Sequence, residues 1–270
     1  MGDIDEKYRA LRSLLKKTGG LVVGYSGGCD SALLAALARE TLGDQALCVF
    51  FSFEAYPQRE VEQALNTSVA LGLSAMIVEE EMLADADFAA NTPERCYFCK
   101  KKMFSRLFEI GREFSLDVVA DGSNRDDFGE NRPGRRAALE MGVISPLEEA
   151  GFTKDEVRKL SRQMNLPTWD KPSFACLATR IPYGIPLESA SLERIGRAER
   201  FLDEAGFHQV RVRHHGDIAR IEVAPDEIER MATPETGKIV ASELKKLGYL
   251  YVALDLTGYK TGSMDTGLTR

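Results

Sequence analysis

Two cysteines stand three residues apart in RCYFCKKK (95–102), with an aromatic pair between them and three lysines behind. A C-x-x-C pair can be half of a zinc site, a redox dithiol, part of an iron–sulfur site, or an incidental surface pair. A third cysteine, Cys176, sits in the proline-rich stretch KPSFACLATRIPYG (171–184), four residues before Arg180. A cationic neighbour favours the thiolate, the form that attacks electrophiles and binds metals. With Cys29 and Cys48 the chain has five cysteines, an odd number that argues against a disulfide framework.

A second kind of chemistry is written in GYSGGCDSALLAALA (24–38). Gly27 and Gly28 let the backbone approach an anion, and amides at a helix N-terminus point at it. Ser26 and Ser31 add hydroxyl donors. Asp30 is unexpected beside an anion unless it orders the loop or meets a cation. A capped strand–helix turn would look similar, but the complete S-G-G-x-D-S string favours phosphate. Cys29 reads as a small residue facing the sheet and Cys48 as core. In ADGSNRDD (120–127), Gly122 permits close backbone approach at a strand end. There Asn124 and Asp126 or Asp127 can meet a ribose, a base edge or Mg²⁺, or simply form a polar turn. In VRVRHHGDIARIEV, Arg211 and Arg213 share a strand face and Glu222 lies on the partner strand. Paired arginines suit a phosphate, and an ordinary cross-strand ion pair is the other reading.

The elements that must hold these residues alternate. Apolar runs LVVGYS, ALCVFFSF, SAMIVEE, DVVADGS and VISPL predict five strands, interleaved with helical periods that stop at glycine. TKDEVRKLSRQMN opens on a capping box, Thr153 and Glu156. This is the pattern of an α/β protein whose parallel sheet carries helices on both faces and binds ligands beyond the strand ends. Residues 1–165 form that domain. Residues 166–185, in a stretch with four prolines up to Pro186, read as an ordered loop or linker. Residues 186–270 read as a smaller α+β domain with a hairpin at His-Gly-Asp.

The chain has 270 residues and a net charge of −7, so a broad nucleic-acid face is not expected. The first residues lack the apolar core of a signal peptide, and no apolar run is long enough to span a bilayer. A cytoplasmic protein without membrane contact is expected.

The S-G-G-C-D-S loop resembles the pyrophosphate-binding loop of the PP-loop ATP pyrophosphatases, an adenine nucleotide α-hydrolase-like sheet. Those enzymes cut ATP between its α and β phosphates and adenylate a carbonyl oxygen. With DGSNRDDFGENRPGRRAA, GVISPL, KPSFACLATRIPYG and LDLTGYKTGSMD, the resemblance narrows to the LarE family of sulfur transferases, over Leu21 to about Asp265. The resemblance implies ATP with Mg²⁺ as cosubstrate and adenylation of the carboxylates of pyridinium-3,5-biscarboxylic acid mononucleotide. Sulfur then replaces AMP to give thiocarboxylates. It implies nucleotide contacts at Ser26, Gly27, Gly28, Asp30, Ser31, Gly122, Asn124 and Asp126. It implies catalytic roles for Cys176, Cys96, Cys99, Asp30 and Arg180, and substrate-phosphate contacts at Arg211, Arg213 and Glu222. Family members with three such cysteines hold a [4Fe–4S] cluster, here through Cys96, Cys99 and Cys176, and an outside source feeds it sulfide. One-cysteine members instead sacrifice the residue corresponding to Cys176. A homo-oligomer, trimer or hexamer, is also implied. Zinc normally takes four nitrogen or sulfur ligands, and the three histidines all fall in the second domain. A tRNA thiolase of the same superfamily is the main rival, disfavoured by the acidic composition.

Overall fold

A computed structural model describes residues 2–127, 133–172 and 174–260. The motif residues 128–132, Ser173 and the end of LDLTGYKTGSMD from residue 261 lie outside the described residues. The chain divides into two compact units, Met1–Met82 with Pro93–Phe174, and Leu83–Thr92 with Ala175–Arg270. Residues 166–172 and 174, expected in a linker, are therefore part of the first unit, and residues 83–92 are part of the second.

The first unit runs α1 (Gly2–Thr18), β1 (Leu21–Gly24), α2 (Cys29–Leu42), β2 (Ala46–Ser52), α3 (Gln58–Ala70) and β3 (Ser74–Glu79). After the short α4 (Ala86–Ala89), which belongs to the second unit, it continues with α5 (Arg95–Glu113), β4 (Val119–Ala120), α6 (Pro133–Met141), α7 (Pro146–Glu149) and α8 (Lys154–Gln163). The sheet is parallel, in the order β3-β2-β1-β4. Its strands are short apolar runs because neighbouring helices cover them. Helix α2 is Ala and Leu at eight of its 14 positions, and eight of its side chains are buried. It packs against α1, α8, β1 and β2, which explains why it lacks a polar stripe. Its Leu33, Leu34 and Leu37 join Leu15, Val23, Phe50 and Phe152 in one core. Thr153 and Glu156 form the expected capping box of α8.

The predicted fifth strand does not form. Ile144 makes one isolated parallel bridge to Ala120, and residues 146–149 turn into α7. Pro146 sets the first turn of that helix, where its missing N–H costs nothing. The fourth strand is cut to two residues because the Asp121 carboxylate accepts from Ser123 N, Ser123 Oγ and Ser145 Oγ and bends the chain out of the ladder.

The second unit contains α9 (Ser189–Glu204), β5 (Arg211–His215), β6 (Ile218–Glu222), α10 (Ile228–Met231), α11 (Pro234–Lys246) and β7 (Tyr251–Leu254). β5 and β6 form the expected antiparallel hairpin, and β7 adds in parallel to β6. Leu202, Phe207, Val212, Ile221 and Leu244 fill its core. Asn91, fully buried and in the left-handed region (φ 52°), ties in residues 83–92. Its Nδ2 donates to Pro182 O and Ile185 O, each at 2.9 Å. Among the described residues no helix is long and apolar enough to cross a membrane.

Candidate active site

The loop Ser26–Asp30 links the end of β1 to the start of α2. Gly27 has φ +70°, and a β-carbon there would meet Ala64 Cβ at 2.7 Å, so only glycine fits. Gly28 caps α2 without any side-chain hydrogen bond, leaving the first-turn amides for a ligand. Ser31 Oγ braces the loop, accepting from Ser26 N at 3.1 Å and lying 3.0 Å from Ser26 Oγ. Gly122 does allow a close approach, but by protein: a β-carbon there would come within 2.9 Å of Ser31 N.

Asp30 does meet a cation. Its carboxylate pairs with Lys154 Nζ and accepts from Asn124 Nδ2 at 3.0 Å. Asn124 Oδ1 in turn accepts from Asp126 N, and Asp126 Oδ2 accepts from Lys154 N. Asp30, Asn124 and Asp126 thus form one network across the loop. Its positive charge, Lys154, is the first residue of α8. A second ammonium, Lys171, donates to Gly27 O at 3.2 Å and pairs with the buried Glu60 at 2.9 Å.

These groups surround a cavity of about 440 Å³ lined by Ser26, Gly28, Asp30, Asn124, Lys154 and Lys171 on the polar side and by Tyr56 and Phe174 on the aromatic side. That size and lining suit a nucleotide. The two aromatic rings lie 5.2 Å apart. A second cavity, about 380 Å³, opens on the other side of the loop, sharing Ser26, Asp30 and Asp127 with the first. It is lined by Ser31, Gly122, Lys100, Arg135 and one thiol of the C-x-x-C pair, Cys96.

The pair lies at the start of α5, Cys96 in its first turn and Cys99 in its second. Cys96 is exposed and Cys99 half-buried, its Sγ 3.7 Å from Met103 Sδ. Gly134 of α6 lets the two helices approach, since a β-carbon there would lie 3.1 Å from Lys100 Cγ. The three lysines all find partners. Lys100 lies over the Phe104 ring, Lys101 over Tyr97, and Lys102 donates to Glu81 O. Cys48 is buried in its strand, as expected, and Cys29 is buried too, but its Sγ meets Ser161 Oγ of α8 at 3.6 Å and Trp169 O at 3.8 Å. Burial pushes the Cys29 thiol up, and pushes Cys48 up to about 12.

In the second unit, Cys176 has its backbone clamped. Its carbonyl accepts from Thr179 N, Thr179 Oγ1 and Arg180 Nη1 at 2.9–3.2 Å. Arg180, 1% exposed, forms a two-pronged pair with Glu199 at 2.8 and 2.9 Å and also donates to Ala175 O. Its guanidinium therefore faces protein and orders the cysteine's neighbourhood. Arg213 behaves similarly, pairing with the fully buried Glu222 at 2.7 Å and donating to Thr179 O. Arg220 also reaches Glu222, at 3.0 Å. Arg211 is different. Among the described residues no carboxylate lies within ion-pair distance, and its ring contact is Tyr259. Burial, then the charge of Arg180, lowers its pKa, so an anion there would be favoured.

Cys96 and Cys99 lie in the first unit and Cys176 in the second. Among the described residues no three His, Cys, Asp or Glu side chains form a group able to hold a metal ion. All five cysteines are free thiols, and the first unit has no histidine.

Lys154, Lys171, Tyr56 and Phe174 were not among the residues singled out from sequence. A signal for the first existed: Lys154, Arg158 and Arg162 are spaced by four, a single stripe of α8.

The family described as NAD synthase matches residues 4–107. The pyridinium-3,5-bisthiocarboxylic acid mononucleotide synthase of Lactiplantibacillus plantarum is 34% identical over 271 residues, covering 100% of this chain and 98% of the relative. An uncharacterized protein of Synechocystis sp. is 36% identical over 267 residues, covering 99% and 100%. A glutamine-hydrolysing GMP synthase of Coxiella burnetii is 28% identical over 234 residues, which cover 79% of this chain and 41% of that protein.

Proposed function

The chain belongs to the family of the pyridinium-3,5-bisthiocarboxylic acid mononucleotide synthase, and from that premise we propose an ATP-dependent sulfurtransferase acting on pyridinium-3,5-biscarboxylic acid mononucleotide. A substrate carboxylate attacks the α-phosphorus of ATP. The α–β bridging bond breaks, and pyrophosphate leaves with an acyl adenylate in place. Hydrosulfide then adds to the acyl carbon and AMP departs, leaving the thiocarboxylate; a cysteine thiolate would instead give a thioester, whose Cβ–S bond must break with loss of the Cα proton to release the thiocarboxylate and leave dehydroalanine. Two rounds convert both carboxylates.

The carrying observation is the cradle between β1 and α2. Uncapped helix amides, Ser26, Lys154 and Lys171 converge on the cavity beside the Tyr56–Phe174 pair. The amides and ammonium groups offset the charge of the phosphates and of the leaving pyrophosphate, and being held in place they need no reorganisation. Asp30 and Asn124 hold Lys154 in position, and Asp126 anchors the start of its helix. Mg²⁺ enters with ATP. The second cavity, where Cys96 meets the loop, suits sulfur delivery. Arg211 suits the substrate phosphate, with Arg213 and Glu222 supporting its strand.

Cys96, Cys99 and Cys176 are free thiols and fit an iron–sulfur cluster by donor type. These three thiolates would hold a [4Fe–4S] cluster, which would supply the sulfide for transfer. The clamped carbonyl of Cys176 fixes the backbone that carries the thiol. The exposed apolar side chains Leu250, Tyr251 and Ile218 at the β6–β7 edge suit the homo-oligomer, and a cytoplasmic location suits free thiols.

Incubation with ATP, Mg²⁺ and the bis-acid tests the reaction. AMP and pyrophosphate are expected in step with substrate mass change. If neither forms, the proposed activity is wrong. Intact mass after turnover separates the sulfur sources: a loss of about 34 Da, the mass of H₂S, would assign Cys176 a sacrificial role in place of the cluster.

A further inference from the structure

Helix α8 carries three cations on one stripe, and each reaches toward the phosphate loop or the segment beside it. Lys154 pairs with Asp30. One turn on, Arg158 donates from Nη1 to Trp169 O at 3.2 Å and from Nη2 to Lys171 O at 3.1 Å. A turn further, the Arg162 guanidinium lies 4.8 Å from the centre of the Trp169 ring. Residues 169–171 are thus strapped to α8 through their own carbonyls. The strap also touches α2, where Cys29 Sγ lies 3.8 Å from Trp169 O.

Lys171 is the one residue of this strap whose side chain enters the nucleotide cavity. An ammonium has three N–H donors. Two are given to Gly27 O and Glu60, which leaves one for a ligand. Nothing in the strap's own sequence fixes this placement. Residues 166–172 have no regular secondary structure beyond turns, and Lys171 N donates to Thr168 O in one of these. The planar guanidinium of Arg158 bridges the carbonyls of Trp169 and Lys171.

We infer that Arg158 is a positioning residue for phosphate binding, acting solely through Lys171 on the pyrophosphate end of ATP. It rests on the ATP-dependent reading above. Gly27, where Lys171 docks, begins the phosphate cradle, whereas AMP lacks the β and γ phosphates. The predicted effect is therefore selective among ligands, which a general loosening of the fold would not be.

The test measures ATP, pyrophosphate and AMP affinity for the full-length protein and for Arg158→Ala, Arg158→Lys, Lys171→Ala and the double Arg158→Ala/Lys171→Ala, with melting temperature alongside. Lys171→Ala should weaken ATP and pyrophosphate about tenfold, the loss of one charge-assisted hydrogen bond. Arg158→Ala should weaken them by a similar or smaller factor and leave AMP unchanged. Arg158→Lys should fall between, because an ammonium cannot hold both carbonyls in one plane. The double variant should bind no more weakly than Lys171→Ala alone. Multiplying factors in the double variant, or equal losses for AMP and ATP, would overturn the inference while leaving ATP use intact. Absence of any ATP binding by the unaltered protein would remove the ATP-dependent reading itself, and the inference with it.

Discussion

Gly27 and Gly28 are neighbours in sequence and opposites in what they do, so alanine at each should fail differently. At Gly27 the backbone is left-handed (φ +70°), which costs an alanine roughly 1–2 kcal/mol. The added methyl would also sit 2.7 Å from Ala64 Cβ and 3.2 Å from Ala64 Cα. Those atoms belong to α3 and cannot swing away, so overpacking adds about 1–3 kcal/mol. Together, Gly27→Ala should lose about 2–5 kcal/mol, a melting shift of roughly 5–15 °C for a unit of this size. Gly28 has φ −84°, and its nearest atom would be Ser26 Oγ at an ordinary 3.4 Å. Gly28→Ala should melt within about 2 °C of the unaltered protein. Its methyl stands in the cradle, however, and should weaken ATP by on the order of tenfold or more. Thermal melts with and without ATP read both effects. If Gly27→Ala melts normally, or Gly28→Ala melts as low as Gly27→Ala, the assignment of one glycine to packing and the other to ligand is refuted.

Cys176→Ser should keep acid-dependent pyrophosphate release and lose thiocarboxylate formation, as product mass spectra would show; full sulfur transfer by this variant would contradict the role given to Cys176. Iodoacetamide at pH 8 should mark Cys96 first and spare Cys29 and Cys48, whose thiols are buried and raised, so peptide mapping that finds Cys48 labelled in folded protein would count against the core assignment. Burial first, then the charge of Arg194, lowers the pKa of His214 below the ordinary 6.5. Its folded pKa lies under its unfolded one, so its contribution is fully present above about pH 6.5 and is lost as pH falls through the folded value. Urea melts between pH 7.5 and 5 should show declining stability of the second unit, with a shallower decline in His214→Gln; equal slopes would exclude His214 as the cause.

The alternation of strand and helix was legible because period-2 and period-3.6 patterns are set locally, and the loop was legible because Gly27 needs a conformation few other residues adopt. The fifth strand misled because VISPL has the right composition, whereas the outcome turns on Asp121 capturing Ser123 and Ser145. Arg180 and Arg213 illustrate a different limit. Charge in the sequence marks both as anion ligands, but Glu199 reaches Arg180 from α9, nineteen residues on, and Glu222 pairs with Arg213 across the hairpin, the other reading of that motif. Lys171 was quoted in its motif yet had no visible role, because its placement depends on Arg158 and on backbone carbonyls, which every residue has. Residues 83–92 carry no local sign of belonging with residues 175–260; they are joined by Asn91, bonding to carbonyls some ninety positions away, and by Ala89 O, which accepts from Leu187 N.

That interleaving has a consequence for biosynthesis. The segment Leu83–Thr92 leaves the ribosome long before the strands it belongs with, about 10–30 s earlier at ordinary rates of synthesis. During that interval Phe88 and Asn91 have none of their final neighbours from residues 175 onward, and the segment is tethered between two halves of a unit that is itself unfinished until residue 174. A gene fragment beginning at Ala175 would encode a second unit without its plug, and no single cut or cassette swap can exchange one unit for a relative's. Recombination that preserves function must therefore carry residues 83–92 along with the distant C-terminal region, as a linked pair of segments.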